Sequence, residues 1–208
     1  MHQTVNLAPF GLRGFESLPA QMILSDRDIK KAIKSEGLEF IPKLKKGQIG
    51  PASIDLKLSP VFKVFHIEKQ SLIDIRNGLP GDYMKEYKMK NSNDYFVLHP
   101  GSFVLASTKE YVKVPVHMAL RVEGKSSLAR MGILVHSAGY IDPGFEGTIT
   151  LEISNQSNLA VTLYPGMYIC QVAAEYLTSP SEVPYNKRRK SLYLKQKKPT
   201  EADTKNLF

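Results

Sequence analysis

Residues 140–155 read Tyr140-Ile141-Asp142-Pro143-Gly144-Phe145-Glu146-Gly147-Thr148-Ile149-Thr150-Leu151-Glu152-Ile153-Ser154-Asn155. Asp-Pro-Gly is a turn signal, since aspartate tolerates turn geometry, proline presets φ and glycine accepts positive φ. From Thr148 the side chains alternate with period 2, placing Ile149, Leu151 and Ile153 on one face and Thr150, Glu152 and Ser154 on the other. The same grammar recurs outward in both directions. Apolar or alternating runs stand at Ile54–Leu58, Val61–Phe65, Tyr95–Leu98, Phe103–Ser107, Met118–Val122, Ile133–Val135, Val161–Leu163 and Met167–Ala174, several separated by Pro-Gly pairs. Many short strands with regular turn signals predict an all-β barrel or sandwich. Glu68–Asp94 is polar, contains Asn77-Gly78 and Pro80-Gly81, and reads as a long excursion between strands.

Before the strands, Ser25 with Asp28 predicts an N-capped amphipathic helix carrying Ile29, Ala32 and Ile33 and stopping at Gly37. Residues 1–21 show no period and read as an N-terminal extension; residues 22–178 form the expected single domain, followed by a basic arm over 179–208. No apolar run reaches the length of about eighteen residues that a membrane span needs, and no charged leader precedes an apolar stretch, so a cytoplasmic protein without a membrane partner is expected.

Cys170 is the only cysteine among 208 residues and lies in an apolar run, where a buried thiol is expected. One cysteine cannot supply the His/Cys/Cys set of zinc nucleobase deaminases, so any deamination by this chain is expected to proceed without zinc. The formal charge is +8, and +5 of it lies between Ser179 and Phe208. Such a tail suits nucleic acid, the phosphates of a nucleotide, or plain solvation, and charge alone does not choose among them. The strands show no exposed aromatic stacking platform, so nucleic acid is not expected as a partner.

One further stretch carries chemistry. Gly124-Lys125-Ser126-Ser127-Leu128-Ala129-Arg130-Met131-Gly132 reads as one helical turn capped by Ser126 after a strand, with backbone N–H groups, hydroxyls and two cations for an anion. Taken alone, the segment reads better as a capped surface turn with ordinary charges, and it does not fit the Walker pattern. Asp142 is open to an Asx-turn role, and Glu152 to a solvated strand face.

The segments Pro51-Ala52-Ser53-Ile54-Asp55-Leu56, His99-Pro100-Gly101-Ser102, Gly124–Arg130, Ile141–Phe145, Leu151-Glu152, Pro165-Gly166-Met167 and Pro184-Tyr185-Asn186 stand in the order seen in dCTP deaminases. The chain thus resembles that family of the dUTP diphosphatase superfamily from about Met22 to Thr200. The resemblance implies a distorted jelly-roll β-barrel, a homotrimer with active sites between subunits, dCTP and dUTP as substrates, and Mg²⁺ bridging the triphosphate with no direct protein ligand. It matches Glu152 to the general base, Ser126 to the hydroxyl that positions the attacking water, Arg130 to the guanidinium near both, and Asp142 to the acid on the deoxyribose 3′-hydroxyl or the diphosphatase water. Lys125 and Ser127 match phosphate contacts. Thr150, Leu151, Gln171, Tyr185 and Gln196 match substrate-binding positions.

Glu152 separates deaminases from simple dUTP diphosphatases, which carry an apolar residue there. Ala138-Gly139-Tyr140-Ile141-Asp142 resembles the bifunctional group that continues to dUMP. Deamination ending at dUTP, and a non-catalytic nucleotide-binding regulator with the same fold, are the alternatives. Two departures bear on them: the loop between His136 and Asp142 is one residue shorter than the family pattern, and Leu192 replaces a phosphate-binding lysine for which Lys190 or Lys195 could substitute.

Overall fold

A computed structural model describes residues 22–68, 72–91, 93–136, 140–204 and 207. The expected extension over 1–21 and residues 137–139 of the shortened loop lie outside the described residues. Helix α1 (Asp26–Ser35) begins where the sequence places it: the Ser25 hydroxyl accepts from the Asp28 N–H, and Gly37 follows the last turn at φ +85°. Its Ile29 and Ala32 are fully buried, the apolar stripe a surface helix needs.

Twelve strands follow among the described residues: β1 (Glu39–Ile41), β2 (Ile54–Lys57), β3 (Val61–Phe65), β4 (Met84–Lys88), β5 (Phe96–Leu98), β6 (Phe103–Lys113), β7 (Met118–Gly124), β8 (Ile133–His136), β9 (Tyr140–Ile141), β10 (Glu146–Asn155), β11 (Val161–Leu163) and β12 (Tyr168–Tyr176). Their pairings are antiparallel. One sheet runs β4-β3-β6-β10-β8, with β1 also on β6; a second runs β2-β12-β7-β9; β5 and β11 make a small ribbon. The all-β expectation therefore holds, with the sheets packed around a single main core.

Fully buried Leu56, Phe62, Leu120, Ile149, Leu151, Ile153 and Val172 belong to that core, each such side chain contributing about 1.5–3 kcal/mol by leaving water. Cys170 is fully buried there, and burial pushes its thiol pKa up, the inert environment expected of it.

The described part of the polar stretch 68–94 holds regular structure that the sequence does not suggest. It carries a 3₁₀ turn at Ile75–Asn77 and the strand β4, which pairs along its whole length with β3. Only Met84 of β4 is buried, because β4 is a sheet edge. A charged edge strand shows no apolar alternation, which hides it from a periodicity argument. Behind it Tyr83, Met84 and Leu105 form a second, smaller apolar cluster with Ile73, Leu79 and Phe103.

One irregularity shapes the centre of the first sheet. The β6–β10 register shifts between Thr148 and Thr150, where Thr108 Oγ1 accepts from the Ile149 N–H at 2.9 Å and donates to the Glu110 carbonyl at 2.8 Å. The side-chain hydroxyl thus replaces a broken ladder bond, as a bulge requires.

Candidate active site

Beyond that bulge β10 alternates as its sequence predicts. Leu151 and Ile153 are buried, while Thr150, Glu152 and Ser154 are half-buried. Their face is not open solvent. Thr150 and Glu152 line a cavity of about 720 Å³ together with Tyr140, Asp142, Tyr185 and Gln196. The far wall is apolar, built from Phe65, Tyr83, Phe103 and Leu105. Among the described lining residues the charged ones are Asp142, Glu152, Arg188 and Lys190, two acids facing two cations of the tail.

The turn after β9 sets Asp142. Its carbonyl accepts from the Phe145 N–H at 3.0 Å, closing the Asp-Pro-Gly turn, and its carboxylate lies 3.9 Å from Arg188 Nη1. Gly144 sits at φ +79°, and a Cβ there would lie 2.8 Å from Pro184 Cβ, so glycine lets the tail cross the turn at contact distance. The Tyr185 N–H donates to the Pro143 carbonyl at 2.7 Å, and the Tyr185 ring packs on Phe145.

The tail then runs beside β10. The Lys195 N–H donates to the Glu146 carbonyl, Thr148 N–H to the Gln196 carbonyl at 2.9 Å, and Gln196 Nε2 to the Thr148 carbonyl at 2.6 Å. Gln196 Oε1 is shielded from solvent and has no partner among the described residues, an acceptor that a bound donor could satisfy. Further on, the Thr200 N–H reaches Thr150 Oγ1, Ala202 N–H donates to the Tyr83 hydroxyl, and Lys63 pairs with Glu201 at 2.8 Å. Lys190 and Leu192 line the cavity, whereas Lys195 does not.

The second group of expected site residues lies elsewhere. At the end of β7 a four-residue helix α2 (Ser126–Ala129) carries exposed Ser126 and Ser127, with exposed Arg130 closing it. The predicted cap is corrected here: Lys125 is the N-cap residue, no side chain caps the turn, and Ser126 is its first helical residue. Lys125 Nζ pairs with Asp55 Oδ1 at 2.7 Å. None of Lys125, Ser126, Ser127 and Arg130 lines the cavity of Glu152.

Gln171 belongs on this second side, since its strand partners are Asp55 and Glu123, and its Oε1 accepts from the Ser53 hydroxyl at 3.2 Å. Leu151 needs the other correction: its side chain is fully buried in the core, on the face of β10 opposite Glu152, and cannot touch a ligand in the cavity. His136, absent from the sequence-based site, is the direct β8 partner of Glu152. Directly opposed residues of antiparallel strands share a face, but the pairing register that reveals this is not written in either strand alone.

Among the described residues no three His, Cys, Asp or Glu side chains cluster as a metal cage, and no helix is long and apolar enough to cross a membrane.

A model of the family described as dCTP deaminase-like matches residues 23–177. The chain is 43% identical over 186 residues to the "dCTP deaminase, dUMP-forming" of Methanobrevibacter smithii, covering 88% of this chain and 95% of the relative. It is 48% identical over 181 residues to the protein of the same name from Dictyoglomus turgidum, covering 86% and 93%. The crystal structure of 2′-deoxycytidine 5′-triphosphate deaminase from Agrobacterium tumefaciens superposes with a TM-score of 0.57 at 22% identity, over 75% of this chain and 49%, about half, of that longer one; the likeness is one of fold.

Proposed function

The chain belongs to the dCTP deaminase-like family, and from that premise we propose that it hydrolyses dCTP and carries the product on to dUMP, with Glu152 as general base. The observation that supports this best is the cavity itself. A carboxylate from β10, Glu152, and a second from the β9 turn, Asp142, line one chamber that the tail roofs with Tyr185 and Gln196.

In this reading water adds its oxygen to C4 of cytosine while Glu152 takes one proton and delivers it to N3. Glu152 then moves the remaining hydroxyl proton to the amino group, the C4–N4 bond breaks, and ammonia leaves. The unpartnered Gln196 Oε1 is placed to accept from a bound nucleotide. Asp142 holds the 3′-hydroxyl, and after deamination orients the water that releases diphosphate. Lys190, rather than Lys195, supplies the tail charge that Leu192 does not, because Lys190 lines the cavity. Mg²⁺ carried in with the nucleotide would supply charge neutralisation at the phosphates.

The chemistry also asks for Ser126 and Arg130, which lie outside the cavity of their own chain. We assign them to the cavity of a neighbouring copy in a trimer, so that Lys125 and Ser127 meet the phosphates of a nucleotide held by the next subunit. Residues 179–208 act as an arm that closes each site.

Incubating the purified protein with Mg²⁺ and dCTP, then resolving dCTP, dUTP, dUMP and ammonia, tests the reading. Ammonia with dUMP is expected; no product from dCTP refutes deamination, and dUTP accumulating without dUMP refutes the second step.

A further inference from the structure

The Lys125–Arg130 turn, a cradle of hydroxyls and cations, connects through Asp55 and Gln48 to a buried carboxylate that the proposed reaction does not use. Glu110, on β6 beside the bulge, is 2% exposed. Its Oε2 accepts from the Lys57 N–H at 2.9 Å and its Oε1 from Gln48 Nε2 at 3.1 Å. Gln48 Nε2 also donates to the Asp55 carbonyl at 2.8 Å, and the Asp55 N–H returns to the Gln48 carbonyl at 2.7 Å. Glu110, directly at Lys57 and through Gln48 at Asp55, thereby ties down the β2 backbone on both sides of Leu56. That side chain takes Lys125 Nζ at 2.7 Å, with both partners about three-quarters buried. On the other side Lys125 Nζ lies 5.8 Å from the centre of the Tyr168 ring, which Lys57 Nζ approaches at 5.2 Å.

We propose that Asp55, seated on buried Glu110, is a positioning residue that presets Lys125 for the phosphates of the nucleotide. The inference rests on the reading of Lys125 as a phosphate contact. A free lysine side chain must give up rotamer entropy of about 2 kcal/mol when it is fixed by a ligand. In Lys125 that ordering is done in advance by Asp55 and Tyr168. An ammonium has three donors, and Asp55 occupies one, so donors remain for phosphate oxygens. The negative charge of Asp55 would oppose an anion if it faced one, but it is mostly covered and already paired, with Lys57 close by on the same ring. Preorganisation therefore outweighs repulsion.

Parent, Asp55→Asn, Lys125→Met and the double variant separate the possibilities. Calorimetry with inorganic tripolyphosphate reads the phosphate contact without catalysis, and steady-state kinetics on dCTP reads it in the reaction. Each single variant is expected to weaken tripolyphosphate binding and raise the dCTP KM about tenfold, with kcat kept within about twofold. The double variant is expected to match Lys125→Met, because Asp55 acts through Lys125. Tighter binding by Asp55→Asn would mean the pair sequesters the lysine and overturns the proposal. Equal further loss in the Lys125→Met background would reduce Asp55 to general structure, and a parent that does not bind tripolyphosphate removes the inference outright. A parent that binds it but releases no ammonia from dCTP overturns the deaminase reading and leaves the positioning role standing. Should Asp55→Asn fail to fold, Glu110→Gln in the same cycle gives the same comparison, with an expected KM increase of about threefold.

Discussion

The cavity around Glu152 and the cradle at Lys125–Arg130 offer the same family chemistry from opposite kinds of structure. The cavity is a product of separate parts of the chain: a central strand, the turn that leads into it, an apolar wall from Phe65, Tyr83 and Phe103, and a tail that returns to Gly147 through Gln196. The cradle is local, one turn of four helical residues with its serines and arginine exposed. Groups that must hold a proton near a reacting atom are enclosed, where water is excluded and electrostatics is strong. On the proposed reading, the groups that meet phosphates stay open, because the anion arrives from outside and, in the proposed trimer, from another subunit. On the proposed reading, the difference teaches that one chain carries two half-sites that are completed by a neighbouring copy.

The sharpest way to break that comparison is to remove the base. Glu152→Gln is expected to lower ammonia release by about a thousandfold or more while calorimetric dUTP binding remains measurable. Deamination near the parental rate would take Glu152 out of its role. Next, inactive Glu152→Gln and Arg130→Ala proteins, unfolded and refolded as an equal mixture, are expected to recover about a quarter of parental activity, the statistical share of sites with both halves intact. No recovery would mean that cavity and cradle serve the same chain. Truncation after Thr178 is expected to cost on the order of a hundredfold in kcat/KM with the barrel still folded by circular dichroism, since the roof residues Tyr185 and Gln196 are lost.

A smaller effect is expected from Gly144→Ala. Its φ of +79° and the 2.8 Å approach to Pro184 put a cost of about 1–3 kcal/mol on the docked tail. The dCTP KM should rise more than kcat falls, and an unchanged KM would detach tail docking from substrate binding.

The smallest effect lies outside both half-sites. The Lys31 ammonium, and then the Tyr176 hydroxyl at 2.7 Å, hold the Glu36 carboxyl below its ordinary 4.5. A depressed carboxyl stabilises the fold above its unfolded pKa, and that contribution fades as pH falls through the folded value. Glu36→Gln should therefore cost under about 1 kcal/mol at pH 7 in denaturant titrations, with the gap to the parent closing below pH 4.5 and kcat unchanged. A gap that persists in acid would assign the loss to packing rather than charge.

What was legible in the chain follows from the range over which each signal acts. The Ser25–Asp28 cap, the Asp142–Phe145 turn and the alternation of β10 are local, and the structure has them where the residues predict. The helical turn at Ser126 was legible but its cap was not, because capping depends on backbone angles that place Lys125, not Ser126, at the boundary. Strand β4 escaped because its side chains are dictated by solvent at a sheet edge. The resemblance matches both Leu151 and Glu152 to the site, yet the side chains of successive strand residues point to opposite faces, and that of Leu151 enters the core.

The sequence by itself determined an all-β chain with one helix at its start, the turn that carries Asp142, and a strand whose polar face holds Thr150 and Glu152. Those features depend on residues a few positions apart. Only the tertiary structure decided that this polar face looks into a chamber rather than into water, since alternation reports which side is apolar and says nothing of what covers the other. The same holds for Lys125, whose partner Asp55 stands 70 residues earlier. Long-range pairing, set by how the two sheets close on one core, made a solvated-looking glutamate the candidate base and a free-looking lysine a held one.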